Sequence, residues 1–410
     1  MVGGISADLR GRATVEQSQS FAGSGTGCAT SARSNTSATR RSLQRHQRLL
    51  SNHLLLELAN EVAGNDAPHA IALGLIAAFL CGPNSPSALR LAPPMEQIDR
   101  RDWLKHVAAL GVASSLAARP ASAQAPTDTT KWFPGFKPFR VKTTGAEING
   151  VIGGSGPPVL LLHGAPQSHI TWRLVAPKLA ATRTVIATDL RGYGDSSKPP
   201  DGEMHVNYSK RAMALDQIEV MKHFGFEKFP VIGQDRGGRV THRMVLDHPD
   251  KVTHAAVLDI IPTHYLYTHV DIQFVQAYFH WFNYLRAAPG PEDELKASTA
   301  AQKARATNEI QLEYLRTSST PENIHAMCED YRAGASIDLK HDEADLTKKI
   351  TCPLRVLWAE KGAMGRIYDV MKIWKERGTK VTGRPLPGGH NLQEDVPDMV
   401  LEEILTLVKA

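Results

Sequence analysis

The sequence predicts an α/β fold in which helices cover both faces of a mostly parallel β-sheet. Two observations support this prediction: short apolar runs recur along residues 158–358, and helical sequence separates most of them from one another. The predicted strands span residues 158–162, 183–188, 229–232, 255–260 and 354–358. In such sheets ligands bind at the carboxyl ends of the strands, so functional side chains are expected there.

Helical sequence rich in aromatic residues interrupts this alternation between about residues 262 and 349. An insertion after the strand that ends near Asp259 is expected to form a helical lid over the carboxyl edge of the sheet. The aromatic residues of its first part are Tyr265, Tyr267, Phe274, Tyr278, Phe279, Trp281, Phe282 and Tyr284.

A glycine-rich turn follows the third predicted strand and holds the first candidate catalytic residue, Asp235. Gly233 and Gly237 flank it at the spacing of a sharp strand-to-helix turn, where larger side chains would collide with neighbouring backbone. The central side chain of such a turn lies beside a helix N-terminus, whose N–H groups stabilise an anion. The alternative is an ordinary helix N-cap, which is the commoner role of aspartate in such a position.

Two further motifs favour the catalytic interpretation of Asp235. His390 lies in the loop 387–391, PGGHN, after the last strand, and is the candidate general base. The motif HGAP at 163–166 directly follows an early strand, and the backbone N–H groups of Ala165 and Arg236 are expected to form an oxyanion hole. The order nucleophile, acid, histidine is that of the α/β-hydrolase fold.

The third catalytic residue should be an acid at the end of a strand. Asp259 follows residues 255–258 and Glu360 comes just after residues 354–358, so both qualify by position. Most α/β hydrolases would use the later position, and the motifs considered so far leave the choice open.

From about residue 158 to residue 396 the sequence closely resembles the haloacetate dehalogenase group of the α/β hydrolases, which includes fluoroacetate dehalogenases. The motifs that carry the resemblance are DRGGR at 235–239, HR at 242–243, DHP at 247–249, LDIIPT at 258–263, FHW at 279–281 and DYRAG at 330–334. The resemblance implies that Asp235 is the nucleophile, His390 the general base and Asp259 the acid that orients it. No cofactor and no metal is expected.

The same resemblance implies a set of substrate contacts. Arg236 and Arg239 would grip the substrate carboxylate, and His280, Trp281 and Tyr331 would hold the departing halide. Two arginines one helical turn apart can present guanidinium groups to a carboxylate. The ordinary alternatives are a structural ion pair for the arginines and lid packing for His280 and Trp281.

Some positions depart from the pattern of this group. Gln234 stands where the group usually has histidine, and Ala165 stands where it usually has a larger aromatic residue. The lid between about residues 283 and 314 is shortened and lacks a tryptophan that defluorinating members tend to carry. These changes alter the walls of the pocket and leave substrate size and cleavage of C–F bonds open.

Two other functions compete with the dehalogenase interpretation. An epoxide hydrolase shares the Asp–His–acid machinery but usually has tryptophan after the nucleophile, where this chain has Arg236. A non-catalytic exported protein could hold a small carboxylate through Arg236 and Arg239, although a binding protein needs no water-activating base. The tyrosines that keep the epoxide alternative open are Tyr265, Tyr267, Tyr278, Tyr284 and Tyr331.

The first 125 residues are predicted to lie outside the hydrolase domain, which would span residues 126–410. Residues 1–94 are rich in Ser, Thr, Ala, Arg and Gly, which is typical of a disordered or mistranslated extension. Residues 95–125, from Met95 as the expected start of translation, have the layout of a twin-arginine signal peptide with Arg100 and Arg101 before a short apolar stretch. A periplasmic location follows, unless this segment is an amphipathic helix that caps the domain.

The composition bounds the class of protein and its partners. The formal net charge is +5, and no basic run is interleaved with aromatic residues, so nucleic acid is not an expected partner. The apolar stretch of the signal is too short for a stable membrane span. A small-molecule substrate is the expected partner, and a homodimer is left open. Cysteines 28, 81, 328 and 352 form no CxxC pair, and the last two are expected to be buried thiols, with one bridge between them left open.

Overall fold

An eight-stranded sheet organises residues 130–409, the part of the chain that this computed structural model describes. Along the sheet the strand order is β1-β2-β4-β3-β5-β6-β7-β8. The second strand runs antiparallel to both its neighbours, and the other pairs are parallel. The strands are β1 (Lys137–Lys142), β2 (Glu147–Gly153), β3 (Pro158–Leu162), β4 (Thr184–Thr188), β5 (Phe229–Gln234), β6 (Val252–Leu258), β7 (Leu354–Ala359) and β8 (Val381–Leu386).

Helices connect the strands and cover the sheet. Three short 3-10 helices span Thr130–Trp132, His169–Trp172 and Glu203–Tyr208. Outside the region between β6 and β7 the α-helices are α1 (Ala176–Leu179), α2 (Lys210–His223), α3 (Asp235–Asp247), α10 (Ala363–Ile367), α11 (Val370–Lys375), α12 (Leu392–Asp395) and α13 (Pro397–Lys409). Between β6 and β7 lie α4 (Thr263–Thr268), α5 (Ile272–Asn283), α6 (Gly290–Arg305), α7 (Glu309–Ser318), α8 (Pro321–Gly334) and α9 (Ile337–Ala344).

Side chains of the strands alternate between two hydrophobic layers. In β3, Leu160 and Leu162 pack in one layer and Val159 and Leu161 in the other, and all four are fully buried. The first layer includes residues of α2 and α3, and the second includes residues of α1 and α13. Strands buried on both faces read as continuous apolar runs, so the predicted α/β fold with helices on both faces is confirmed.

The predicted strands agree closely with the structure. β3 has the predicted bounds, three other strands differ by one or two residues at an end, and β6 begins and ends earlier than predicted, before Asp259. β1 and β8 lie at the edges of the sheet with many exposed residues, and Asn149 and two glycines interrupt β2. These three strands were missed because none of them is a continuous apolar run.

Residues 262–349 form the predicted helical insertion, here α4 to α9. Capping side chains begin three of its helices: Asp271 accepts a hydrogen bond from the Phe274 N–H, Asn308 from the Gln311 N–H, and Thr320 from the Asn323 N–H. Cys328 on α8 is a buried free thiol, as expected, while Cys352 is free but only half-buried.

The predicted extension at residues 1–94 and the signal peptide at residues 95–125 lie outside the described residues. Within residues 130–409, none of the helices has the length and apolar character needed to cross a membrane.

Candidate active site

Asp235 lies at the sharp turn between β5 and α3. Its φ of +46° is a left-handed conformation that is uncommon for a residue other than glycine. The flanking glycines are required by space, because a Cβ at Gly233 would lie 2.2 Å from the carbonyl oxygen of Gly237. A Cβ at Gly237 would lie 2.5 Å from the carbonyl oxygen of His163. The chain thus forms the sharp turn that the sequence predicts around Asp235.

The carboxylate of Asp235 is held in its ionised form. It is 7% exposed, and its Oδ1 accepts a 3.1 Å hydrogen bond from the Ala165 N–H. Burial favours the neutral acid, but His390, Arg236 and Arg239 together hold the pKa of Asp235 well below its usual range. The Arg236 N–H belongs to the first turn of α3, whose N–H groups have no acceptor within the helix. One carboxylate oxygen therefore faces the predicted oxyanion hole.

His390 lies between two carboxylates. Its Nδ1 is 2.6 Å from Oδ2 of Asp259, and its Nε2 is 3.6 Å from Oδ2 of Asp235. The other oxygen of Asp259 accepts a 2.9 Å hydrogen bond from the Ala359 N–H, which fixes the carboxylate. Of the two acids that qualified by position, Asp259 and not Glu360 is the one that reaches His390.

The two carboxylates set the charge of His390. Burial opposes the imidazolium, but Asp235 and Asp259 outweigh it and raise the pKa of His390 above its ordinary value. His390 is therefore protonated at neutral pH while Asp235 is ionised. A change that neutralises Asp235 lowers this pKa again and allows the imidazole to accept a proton.

Arg236 is fully buried and bound to the helical insertion. Its Nε donates to Oδ2 of Asp330 at 2.6 Å, and its Nη2 donates to the Asp330 backbone carbonyl at 2.8 Å. The guanidinium also lies 4.1 Å from the ring centre of Tyr331. The buried Nη1 has no hydrogen-bond partner among the described residues. Nε and Nη2 of Arg236 already bind Asp330, so Nη1 is the nitrogen left to bind a substrate carboxylate. This narrows the expected role of Arg236 as a substrate contact.

Arg239 is also buried, but its partners are uncharged. Its Nη1 donates to the Ile261 carbonyl and to Oγ1 of Thr263, each at 3.0 Å. The guanidinium lies 4.6 Å from the ring centre of Trp281, and its buried Nε is unpartnered within residues 130–409. Buried polar groups normally have hydrogen-bond partners, so an unpartnered arginine N–H indicates a place where a ligand can accept.

The three residues expected to hold a halide lie together beside these arginines. The ring centre of Tyr331 is 5.8 Å from that of His280 and 5.6 Å from that of Trp281. Burial lowers the pKa of His280 and raises that of Tyr331, so the imidazole is neutral and the phenol keeps its proton. Trp281 is nearly fully buried and stacks on both guanidinium groups, so packing is part of its role.

Asp330 contributes to the candidate active site, although the sequence did not single it out as an individual residue. This carboxylate is fully buried and accepts hydrogen bonds from the hydroxyl of Tyr193 at 2.5 Å, from Lys210 and from Arg236. Asp330 lies within the motif DYRAG, but its partner Arg236 is 94 residues away along the chain. The motif DYRAG therefore identifies Asp330 in the sequence but does not reveal that it binds Arg236.

Two other residues near the catalytic groups make contacts that the sequence did not predict. Tyr278 on α5 is close enough to Asp259 and Asp235 that, after burial, their charges raise the pKa of its phenol. Gln234 precedes the nucleophile, and its Nε2 donates to the backbone carbonyl of His390 at 3.1 Å.

Comparison with known proteins finds the α/β-hydrolase fold and a relative from the expected haloacetate dehalogenase group. Residues 157–397 match a family described as the alpha/beta hydrolase fold. The chain is 43% identical over 289 residues to fluoroacetate dehalogenase of Burkholderia sp, a match that covers 67% of this chain and 95% of that protein. The chain belongs to the haloacetate dehalogenase-like group of the α/β-hydrolase family.

Other relatives of this α/β hydrolase have different names. It is 34% identical over 285 residues to soluble epoxide hydrolase of Corynebacterium sp. (strain C12), covering 63% of this chain and 94% of that protein. A crystal structure of an α/β hydrolase from Nostoc sp PCC 7120 is 48% identical, with a TM-score of 0.65, and the match covers 67% of this chain and 98% of that chain. Family membership alone therefore does not choose between carbon–halogen and epoxide chemistry.

Asp235→Asn should lower the pKa of His390. The amide keeps the shape of the carboxylate but removes one of the two negative charges that favour the imidazolium. An NMR titration of the imidazole in the full chain measures this pKa. Asp250→Asn is the control, because the Asp250 side chain is 71% exposed and is not among the groups that shift His390. An unchanged His390 pKa in the Asp235→Asn protein would show that Asp235 does not set its charge.

Proposed function

We propose that the protein is a hydrolytic dehalogenase of small 2-haloacids such as haloacetates. The observation that carries the proposal is the ionised carboxylate of Asp235 beside two buried guanidinium groups, Arg236 and Arg239, that each retain an unpartnered nitrogen. A carboxylate can form a covalent ester with a carbon substrate, and arginines suit a substrate that is itself a carboxylate. The relation to fluoroacetate dehalogenase supports the same substrate class.

In the first step, Oδ2 of Asp235 attacks the carbon that bears the halogen. Oδ1 stays hydrogen-bonded to the Ala165 N–H, so the oxygen nearer to His390 is the one that forms the new bond. The carbon–halogen bond breaks, and the halide leaves with the bonding electrons. Arg236 and Arg239 hold the substrate carboxylate so that the carbon is aligned with the nucleophile, and such positioning contributes much of the acceleration.

The departing halide needs hydrogen-bond donors. His280, Trp281 and Tyr331 can supply an imidazole N–H, an indole N–H and a phenol. His280 is neutral and Tyr331 keeps its proton, so neither residue needs to change its charge in order to donate.

In the second step, His390 acts as the general base. Ester formation removes the charge of Asp235, so the pKa of His390 falls and the imidazolium releases its proton to solvent. The neutral imidazole then takes a proton from water while Asp259 stabilises the new imidazolium. The hydroxide attacks Cγ of the ester, and the N–H groups of Ala165 and Arg236 stabilise the charge on Oδ1. The bond between Cγ and Oδ2 breaks, and His390 returns its proton to the alkoxide. The carboxylic acid re-formed at Asp235 passes its remaining proton to His390, which restores the starting charges, and the hydroxyacid leaves.

An epoxide hydrolase is the second candidate. The phenols of Tyr278 and Tyr331 both lie within electrostatic reach of Asp235, where they could protonate an epoxide oxygen, and the Corynebacterium relative supports this chemistry. An epoxide is neutral, however, and would leave the guanidinium of Arg239 without an anion. Since an unpaired buried charge is costly, the geometry favours a carboxylate substrate.

The purified full chain should release halide from chloroacetate and no diol from styrene oxide. Both substrates and fluoroacetate are assayed side by side, with halide and diol as the measured products. Diol without halide would establish the epoxide hydrolase instead. Neither product from any of the three substrates would favour a non-catalytic carboxylate-binding protein.

His390→Ala should stop turnover after the first step, because water then has no general base. After incubation with chloroacetate, mass spectrometry of the intact protein and its peptides should show a carboxymethyl group on Asp235. Asp235→Ala is the control and should carry no adduct. Turnover by His390→Ala without an adduct would contradict covalent catalysis.

We also propose that the chain is exported to the periplasm through the twin-arginine segment at residues 95–125, which lies outside the described residues. Replacing Arg100 and Arg101 by lysine should retain the precursor in the cytoplasm, as cell fractionation of a C-terminally tagged chain measures. Arg119→Lys, in the same segment but outside the arginine pair, is the matched control and should leave export unchanged. A cytoplasmic mature protein with both arginines intact would rule out export. The homodimer stays a prediction.

A further inference from the structure

The side chain of Gln234 joins the strand of the nucleophile to the loop of the general base. Gln234 is the last residue of β5 and is 1% exposed. Its Nε2 donates to the backbone carbonyl of His390 at 3.1 Å. The two proposed catalytic steps do not use this buried amide.

The chemistry of this contact determines which end of the amide faces His390. A backbone carbonyl accepts hydrogen bonds and cannot donate, so the amide nitrogen of Gln234 must face it. The amide oxygen is buried, has no partner in the described part of the chain and lies against Gly164, where a Cβ would be 2.4 Å from it. Gln234 therefore lies between the oxyanion-hole loop and the loop of His390.

The loop 387–391 has few other contacts that position the His390 peptide. Gly388 and Gly389 precede His390, and glycine gives the backbone its widest conformational freedom. The Gly389 N–H donates to Oδ2 of Asp395 at 2.8 Å, which connects the loop to α12 and not to the sheet. The ring of His390 contacts Asp259 and Asp235, and the hydrogen bond from Gln234 connects the His390 backbone to the sheet.

We propose that Gln234 is a positioning residue that keeps the His390 imidazole at its working distance from Asp235. This inference rests on the proposed function and assigns Gln234 to the second step. Halide displacement uses Asp235 and the arginines, whereas His390 accepts a proton only after the ester has formed. Loss of the amide contact should therefore slow ester hydrolysis and leave halide displacement fast.

Gln234→Met tests this assignment, because methionine keeps the length of the side chain but has no N–H donor. In rapid-quench measurements with chloroacetate, the variant should release a burst of one halide per active site and then turn over slowly. We expect kcat to fall on the order of a hundredfold, as for a small misplacement of a reacting group. The ester on Asp235 should accumulate and be detected by mass spectrometry.

Gln234→His is the restoring variant, since an imidazole N–H can reach the same carbonyl. It should return kcat to within a few-fold of the wild type.

Gln217→Met is the matched control, because Gln217 is a fully buried glutamine on α2 that binds the Thr188 hydroxyl at 2.7 Å. It should change stability but produce no burst. Wild-type kcat without a burst in Gln234→Met, or the same burst in Gln217→Met, would overturn the proposal. Gln234→Ala replaces Gln234→Met if circular dichroism shows that the latter does not fold.

A measurement made without substrate tests the positioning role of Gln234 independently of the proposed function. The Nδ1 proton of His390 in its 2.6 Å contact with Asp259 should give a downfield proton NMR signal. This signal should broaden or move upfield in Gln234→Met and return in Gln234→His, and an unchanged signal in Gln234→Met contradicts positioning by the amide. A wild type that releases no halide from any haloacid refutes the dehalogenase function, and the NMR signal still decides the role of Gln234.

Discussion

The buried ion pair between Arg236 and Asp330 is the constraint on which the active site depends. Arg236 follows the nucleophile at the start of α3, and Asp330 lies on α8, so their contact docks the helical insertion on the sheet. Removing one partner of a buried pair leaves an uncompensated charge, which typically costs about 3–5 kcal/mol. Because Tyr331 adjoins Asp330, the same contact places a phenol beside the catalytic carboxylate. The insertion is thus a wall of the active site and not a separate cover.

In the proposed mechanism, the charges of Asp235, Asp259 and His390 determine when each of these groups acts. In the free protein, Asp235 is ionised beside a protonated His390, so in the proposed mechanism the nucleophile is available and the base is not. Ester formation neutralises Asp235 and leaves one carboxylate beside the imidazole, which then releases its proton more easily. In the proposed mechanism, this change of charge makes His390 available as a base only after the ester has formed.

The sequence predicts those parts of this arrangement that depend on local pattern. β3 is predicted from its continuous apolar run, which arises because both its faces are buried. Asp235 and His390 are found from glycine-rich turns of characteristic spacing. Position alone left Asp259 and Glu360 equivalent, because both lie at the carboxyl ends of strands and only the distance to His390 separates them. The contact between Arg236 and Asp330 joins residues 94 apart, and packing of the insertion on the sheet creates it.

The same distinction between local pattern and packing explains why two neighbouring arginines have different roles. The charge of Arg236 is compensated by Asp330, whereas the described hydrogen bonds of Arg239 go to uncharged oxygens of Ile261 and Thr263. Burial and the charge of Arg236 lower the pKa of Arg239, and the charge of Asp235 opposes them only in part. A bound carboxylate supplies the missing negative charge, and an epoxide does not. In the proposed function, Arg239 therefore contributes more than Arg236 to the preference for an anionic substrate, while Arg236 also holds the insertion in place.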